Sequence, residues 1–246
     1  MSAEKLLTNR RAWDKVAGLF FSHSFLPVWG PFGIGKHAAV IGPIKGKTFL
    51  EVGFGSGHSI NYLVQKGARK VYGVDISKTK LDFAAELNKV PITKGKVELF
   101  EKPMEKRLKL EPIDTVFSIY GFGWTIDPKK TLANIYSYLK PGGQFIWSWD
   151  NSVFSVIHEE AGKLVVSGSY HEEREFIAKK WKGVPVYLKY RKTATWFRLL
   201  RDAGFMVDDY MEPAPIMKKD LTATYYTIRK AERIPCSAIW ICIKPK

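Results

Sequence analysis

The sequence predicts an α/β fold in three layers, with helices on both faces of a mostly parallel sheet, and three observations lead to it. From Lys47 onward, short apolar segments alternate with amphipathic ones, as expected for strands joined by right-handed helical crossovers. Glycines separate the first of these strands from the helix that follows. The chain has 246 residues, 46% of them hydrophobic, which is enough for one domain with a sizeable core.

An N-terminal helix is predicted over about Lys5–Phe21, where apolar residues recur at helical spacing. Prolines and glycines between Pro27 and Gly35 then break regular structure. We therefore separate a helix and lid-like loop, residues 1–46, from a main domain over residues 47–246.

The alternating region contains five predicted strands and three predicted helices. The strands lie at about Thr48–Val52, Lys70–Val74, Lys96–Phe100, Ile113–Ile119 and Gln144–Trp149. The helices lie at about Ser59–Lys66, Lys78–Asn88 and Pro128–Leu139. The last helix is ended by Pro141-Gly142-Gly143.

After the fifth strand the pattern changes. Residues 152–192 hold charge clusters and aromatic side chains without an obvious βα unit, and we interpret them as an insertion that covers the substrate. A helix at about Thr195–Ala203 then leads to two strands, at about Phe205–Tyr210 and Ser237–Ile243, which can pair as a hairpin.

Composition restricts the cellular setting. No apolar run approaches the roughly 20 residues that span a bilayer, and the first residues lack the apolar core of a signal peptide. Cys236 and Cys242 lie in one apparent strand, too far apart to bridge each other. We expect a cytoplasmic protein with reduced thiols and no membrane partner. The formal charge of +15 can attract nucleic acid, although the lysines are spread along the chain.

The clearest candidate site is the segment Glu51-Val52-Gly53-Phe54-Gly55-Ser56-Gly57, between the first strand and the first crossover helix. Glycines there permit a tight turn and close approach of a ligand, and helix N-terminal amides favour an anionic group. Asp75 ends the second strand, where a carboxylate can accept the hydroxyls of an adenosine ribose. Ser77 is the better candidate for capping the next helix.

The residues around this loop discriminate between adenosine cofactors. A dinucleotide fingerprint requires Gly or Ala at position 58, where this chain has His58. The loop has no Lys-Ser/Thr pair for a triphosphate, and Glu51 would repel a pyrophosphate. Glu51 is compatible with a cationic methionine ammonium or sulfonium. These residues therefore favour S-adenosylmethionine over NAD.

Four segments, in matching order and spacing, resemble motifs of the class I (Rossmann-like) S-adenosylmethionine-dependent methyltransferases. They are Phe49–Ser59 (motif I), Val71–Ser77 (second strand), Leu139–Phe145 (junction to the fifth strand) and Leu200–Phe205 (approach to the last hairpin). The resemblance covers about Lys47 to Ile243. It implies an enzyme with a seven-stranded sheet, a reversed C-terminal hairpin and S-adenosylmethionine as cofactor.

The cofactor-binding residues assigned on this basis are Glu51, Gly53, Phe54, Gly55, Gly57, Asp75, Ile76, Met104 and Tyr120. Two departures from the family pattern matter. Phe54 stands where a cysteine or small residue is common. The usual adenine-side aspartate is missing, and Pro103 and Met104 stand in its place. Met104 can offer its backbone N–H to the adenine. Glu101 or Glu105 can supply the acid, and the alternative is that both are solvated.

Candidates for chemistry follow from the reaction. Methyl transfer from a sulfonium is an in-line displacement, so the protein mainly supplies alignment. Asp150, at the end of the fifth strand, is a candidate for acceptor binding or base duty, and its alternative role is to cap the next segment. His171, beside Glu172 and Glu173, is a second candidate base, and its alternative is a place on a solvated surface helix. No metal site is predicted.

We expect a methyltransferase for a small or medium-sized molecule. The fourth strand ends in Ser118–Trp124, without the Asp/Asn-Pro-Pro-aromatic motif of enzymes that methylate amino groups of DNA bases. Tyr120 can line the cofactor pocket and Trp124 can wall off the acceptor, or both can simply pack. An RNA or DNA methyltransferase is the alternative that the charge supports. A cofactor-binding homologue without turnover is a third.

Overall fold

The structure, a computed structural model, describes residues 2–21, 26–33 and 40–246. Part of the predicted lid-like loop, including Gly35, therefore lies outside the described residues. No helix within those ranges is long and apolar enough to cross a bilayer.

A seven-stranded sheet lies at the centre of the molecule. Its strands are β1 (Thr48–Val52), β2 (Lys70–Asp75), β3 (Val97–Glu101), β4 (Ile113–Ile119), β5 (Leu139–Asp150), β10 (Met206–Met211) and β11 (Ser237–Ile243). Their order is β10-β11-β5-β4-β1-β2-β3. Strands β1 to β5 run parallel, and β11 runs antiparallel to both of its neighbours. The mostly parallel sheet and the reversed C-terminal hairpin are thus confirmed.

Helices join and flank these strands. They are α1 (Ser2–Val16), α2 (His58–Gln65), α3 (Lys78–Leu87), α4 (Lys89–Thr93), α5 (Pro128–Tyr138), α6 (Thr193–Asp202) and α7 (Ile228–Ala231). Ser77 caps α3 as predicted, because its Oγ accepts the Lys80 N–H at 3.2 Å. The short helices α4 and α7 were not predicted, since four or five residues are too few for helical periodicity to show.

Both faces of the sheet are covered by buried apolar side chains. On one face, Leu132 of α5 and Leu200 of α6 pack into the core; on the other, Ile60 of α2 and Ala84 of α3 do so. This arrangement confirms the three layers. It also fixes the carboxyl ends of β1 to β5 along one edge, where ligands bind in open α/β sheets.

The start of β5 differs from the prediction. The preceding helix ends at Tyr138 rather than Leu139, and Leu139 instead pairs with Ile113 of β4. The register then shifts, so that Gln144 is the partner of Thr115. The Pro-Gly-Gly segment that was expected to end the helix therefore forms an irregularity within the strand.

The insertion 152–192 contains two antiparallel hairpins, not the surface helix that was the alternative for the charged cluster around His171. Strand β6 (Ile157–Glu160) pairs with β7 (Lys163–Val166), and β8 (Glu175–Trp181) pairs with β9 (Val184–Lys189). These strands are short and rich in charge, so hydrophobic alternation does not reveal them.

Helix α1 and the second hairpin meet above the carboxyl ends of the central strands. The ring centroids of Trp13 lie 5.1 Å from those of both Trp124 and Trp181. The Trp124 and Trp181 centroids are 5.3 Å apart. These three tryptophans join α1, the turn after β4 and the β8–β9 hairpin. The two elements predicted to form a cover therefore contact each other.

Candidate active site

A cavity of about 1680 Å³ lies at the carboxyl ends of the parallel strands. Strands β1 and β4 are neighbours there, and the chain leaves them toward opposite sides of the sheet, which is the usual position of a ligand site. The cavity wall includes Glu51 and Gly53 from the end of β1, Asp75 from β2, Tyr120 after β4 and Asp150 from β5. Most of the predicted site residues therefore share one space.

The glycine loop brings bare backbone to this cavity. Gly53 and Gly55 have φ angles of +76° and +57°, in the left-handed region that favours glycine. A Cβ on Gly53 would lie 2.9 Å from the Cα of Gly121, so the ends of β1 and β4 touch through their backbones. A Cβ on Gly55 would instead be in ordinary van der Waals contact with Lys80 Nζ, at 3.8 Å. Phe54, between the two glycines, also lines the cavity.

Gly57 is not among the residues that line the cavity. Its φ is +75°, and a Cβ there would lie 2.6 Å from the Cβ of Ala84. Asn88 Nδ2 donates to the Gly57 carbonyl oxygen at 3.1 Å. This glycine lets α2 begin directly against α3, and its predicted contact with the cofactor stays a prediction.

Asp75 is buried at the end of β2 and holds the glycine loop. Its Oδ2 accepts the Gly55 N–H at 3.1 Å, and its Oδ1 accepts the Ser77 N–H at 3.0 Å. Each oxygen keeps a further lone pair, so ribose hydroxyls can still donate to it. Burial raises the pKa of Asp75, opposed by the nearby Lys80 ammonium and by the backbone amides.

Glu51 lies deeper, and only 3% of it is exposed. Its Oε2 has no hydrogen-bond partner among the residues that the structure describes. Burial raises the pKa of Glu51 well above its ordinary value, Asp75 raises it further, and a hydrogen bond with Ser59 lowers it. A buried carboxylate without a cation is costly, so this position suits a positively charged ligand group.

The adenine-side candidates also reach the cavity. Ile76 and Met104 line it, and so does Glu105. Glu105 is 6% exposed, and its Oε1 accepts a threonine hydroxyl and a backbone N–H, both at 2.9 Å. Glu105 is therefore buried, which contradicts the alternative that Glu101 and Glu105 are both solvated. Glu101 instead forms an ion pair with Arg10 of α1.

Asp150 lies at the end of β5 among tyrosines. The Tyr225 hydroxyl donates to its Oδ2 at 2.8 Å, and the Tyr226 hydroxyl donates to its Oδ1 at 2.9 Å and its Oδ2 at 3.1 Å. Tyr120 lies close enough for the Asp150 charge to act on it, and its hydroxyl lies 2.7 Å from Ser237 Oγ. We call Asp150, Tyr120, Tyr225 and Tyr226 the tyrosine cluster.

Burial and charge shift the pKa values of the groups in this cluster. Burial raises the pKa of Asp150, while the tyrosine hydrogen bonds and Lys230 lower it. Burial and the Asp150 charge both raise the pKa values of the three tyrosines well above normal, so they remain donors. Lys230 is fully buried, and burial lowers its pKa to about 8.

Asp150 does not cap the next segment, which was its alternative role. Asn151 does so, because its Oδ1 accepts the Val153 N–H at 2.9 Å. His171 lies in the turn between β7 and β8, exposed and outside the set of cavity-lining residues. The structure therefore brings Asp150, and not His171, to the predicted site.

Three residues of the site were missed in the sequence. Tyr225, Tyr226 and Lys230 come from the linker between β10 and β11, which returns across the end of β5. The pair of adjacent tyrosines in this linker is the signal that was available. Their long separation along the chain from Asp150 hides the contact.

Comparison with known proteins agrees with this geometry. Residues 50–147 match the family model described as a methyltransferase domain. The chain therefore carries a methyltransferase domain over residues 50–147.

Two curated relatives of this methyltransferase give different information. An uncharacterized protein of Haemophilus influenzae is 26% identical over 182 residues, which are 69% of this chain and 71% of the relative. A tRNA U34 carboxymethyltransferase of Shewanella baltica is 30% identical over 147 residues, 58% of this chain. The chain spans only 44% of that relative's length.

Solved structures share the fold. An S-adenosylmethionine-dependent methyltransferase from Mesorhizobium loti has a TM-score of 0.69 at 18% identity, over 83% of this chain and 94% of its own. The Burkholderia thailandensis 1,6-didemethyltoxoflavin-N1-methyltransferase, solved with S-adenosylhomocysteine, has a TM-score of 0.56 at 17% identity, over 85% and 79%.

The residues of this chain fit the cofactor. Gly55 lines the cavity without a side chain, so a ligand can approach the loop backbone there. Glu51 Oε2, which has no partner within the described part of the chain, suits the methionine ammonium, and the Asp75 oxygens suit two ribose hydroxyls. When bound, S-adenosylmethionine supplies the activated methyl group.

Proposed function

We propose that this methyltransferase acts on a small or medium-sized molecule that binds in the same cavity as the cofactor. The observation that carries this proposal is the continuity of the cavity. Its volume of about 1680 Å³ exceeds the roughly 300–1,000 Å³ of an ordinary ligand pocket. The glycine loop and Asp75 lie on one wall, the tyrosine cluster on another, so a second molecule has space beside the cofactor.

In this proposal the first wall holds the donor. Glu51 pairs with the methionine ammonium, and the backbone of Gly53 and Gly55 contacts the methionine portion. Asp75 accepts the ribose hydroxyls. Ile76 and Met104 contact the adenine, with Glu105 beside them.

The tyrosine cluster orients the acceptor. A carboxylate has about four lone-pair positions, and the hydrogen bonds from Tyr225 and Tyr226 occupy three, so Asp150 can accept one more donor. An N–H or O–H of the acceptor is the fitting group. Because the phenols already saturate most of the carboxylate, Asp150 acts mainly by fixing the nucleophile and stabilising positive charge on it.

The test begins with the cofactor product. Isothermal titration with S-adenosylhomocysteine should show binding to the folded protein. The protein is then incubated with methyl-labelled S-adenosylmethionine and either a deproteinised small-molecule extract or total RNA. Label in the small-molecule fraction, lost in Asp150→Asn but kept in the exposed-site control Asp202→Asn, supports the proposal. Folded protein that does not bind S-adenosylhomocysteine contradicts it.

A second candidate function is methylation of RNA. It is supported by the net charge of +15 and by the similarity to a tRNA-modifying enzyme over 147 residues. The cover formed by α1 and the β8–β9 hairpin would then have to open for a nucleotide. This candidate requires label in the RNA fraction and binding to RNA that weakens steeply with salt. A flat salt dependence contradicts it.

A further inference from the structure

A buried arginine in the cavity wall forms no ion pair with any carboxylate of the described residues. Arg191 follows β9, lines the cavity and is only 5% exposed. Its Nη2 donates to the Thr125 carbonyl oxygen at 3.4 Å, and its guanidinium stacks 4.9 Å from the ring centroid of Trp196. Its Nη1 has no hydrogen-bond partner among the described residues. The guanidinium remains charged at neutral pH even when buried.

The acidic residues near Arg191 are bonded to other groups. Glu173 and Glu175 act on Arg191 only through longer-range attraction. Glu173 Oε1 accepts the Lys192 N–H at 2.9 Å. Glu175 pairs with Lys5 at 2.8 Å and with Lys189 at 3.1 Å. The residues outside the described ranges contain no Asp or Glu, so they supply no carboxylate.

A buried guanidinium without a counter-ion is expensive, because it loses hydration and gains no equivalent attraction. An aromatic face and one carbonyl compensate part of that cost. A group with two oxygen acceptors and a negative charge would compensate the rest, since guanidinium N–H groups match such oxyanions.

The position of Arg191 points to the acceptor rather than to the donor. Its Thr125 partner directly follows Trp124, whose ring lies 5.7 Å from that of Trp149. Trp149 in turn lies 5.6 Å from Tyr120 of the tyrosine cluster. The residues proposed to bind the methyl donor lie instead in the loop after β1 and at the end of β2. Arg191 therefore borders the tryptophan-lined part of the cavity.

We infer that the acceptor of this methyltransferase is a flat, largely apolar molecule carrying a carboxylate or phosphate, and that Arg191 binds this oxyanion. This inference rests on the proposed function. The tryptophans contact the body of the acceptor, Arg191 holds its oxyanion, and Asp150 holds its nucleophilic N–H or O–H. Neutral analogues leave the guanidinium unpaired and are rejected.

The test uses defined probes on protein saturated with S-adenosylhomocysteine. 2-Naphthoate and 2-naphthyl phosphate distinguish the two oxyanion sources, and 2-naphthamide is the neutral match. Binding is followed by ligand-observed NMR. We expect at least one oxyanion to bind ten-fold or more tightly than the amide, a preference that Arg191→Gln abolishes. Arg198→Gln, at an exposed arginine of α6, should keep the preference, and both variants should bind S-adenosylhomocysteine like the wild type.

Three results would overturn the inference. They are equal binding of the amide and both oxyanions, an unchanged preference in Arg191→Gln, and a matching loss of S-adenosylhomocysteine affinity, which would assign the guanidinium to the donor. If Arg191→Gln does not fold, Arg191→Lys and the wild-type probe series decide the question. Failure of the wild type to bind S-adenosylhomocysteine would contradict the proposed function itself and is seen separately.

Discussion

The side-chain amide of Asn9 pairs with the backbone of Tyr187 in both directions. Its Nδ2 donates to the Tyr187 carbonyl oxygen at 3.1 Å, and its Oδ1 accepts the Tyr187 N–H at 2.7 Å. Asn9 is 4% exposed, so both hydrogen bonds are shielded from water. The amide therefore extends the β9 edge with a pair of hydrogen bonds and fastens α1 to the insertion above the cavity.

Replacing Asn9 by Leu should loosen this cover. Two buried backbone groups lose their partners, at a cost of about 1–3 kcal/mol each. We expect faster amide hydrogen exchange at Tyr187 and faster dissociation of S-adenosylhomocysteine, measured by stopped flow. Thr8→Ala is the matched control, since the Thr8 hydroxyl bonds only within α1. Unchanged exchange at Tyr187 would show that the cover does not depend on Asn9.

Glu51 should make the ligand-free protein less stable as pH rises. Its folded-state pKa is raised, first by burial and then by Asp75, so the protonated form favours folding. That contribution is complete below the ordinary glutamate pKa and is lost as pH rises through the folded-state value. Each unit of the shift corresponds to about 1.4 kcal/mol. Thermal unfolding between pH 4 and 8 should therefore show Glu51→Gln gaining stability over the wild type.

The same variant should bind the cofactor product less tightly, because the methionine ammonium loses its charged partner. Higher stability without ligand and lower affinity for S-adenosylhomocysteine are opposite effects that a packing defect would not produce. Glu98→Gln, at an exposed position of β3, should change neither quantity. A Glu51→Gln protein with wild-type affinity would remove Glu51 from the donor site.

The tyrosine cluster should be visible in an alkaline titration. Burial and the Asp150 charge raise the pKa values of Tyr120, Tyr225 and Tyr226 well above the ordinary tyrosine value, so these phenols should belong to the late-ionising fraction. Absorbance at about 295 nm, read within milliseconds of a pH jump to precede unfolding, reports their ionisation. Asp150→Asn should shift this late fraction to lower pH. Identical late fractions in both proteins would mean that Asp150 does not act on the phenols.

The sequence predicted the parts of this protein that depend on local patterns. The five parallel strands, the glycine loop after β1 and Asp75 at the end of β2 follow from short-range periodicity and spacing. The hairpins of the insertion escaped prediction because their charged residues obscure the alternation. Tyr225 and Tyr226 were not predicted because they lie 75 and 76 residues from Asp150 along the chain. They come close to it because β11 pairs with β5 in the folded protein. Arg191 carried no motif, and only its burial distinguishes it.

Asp75→Ala should weaken the binding of S-adenosylhomocysteine by about 1–3 kcal/mol, since hydrogen bonds to the ribose hydroxyls are lost. The carboxylate also holds the Gly55 and Ser77 amides, so part of the effect arises from a looser glycine loop. Measuring the binding of methionine and of adenosine as separate ligands distinguishes the two causes. A lost ribose contact weakens the binding of adenosine alone, whereas a looser loop weakens the binding of both. Asp82→Ala, at an exposed aspartate of α3, is the control. Titration calorimetry that gives wild-type affinity for folded Asp75→Ala would remove Asp75 from the cofactor site.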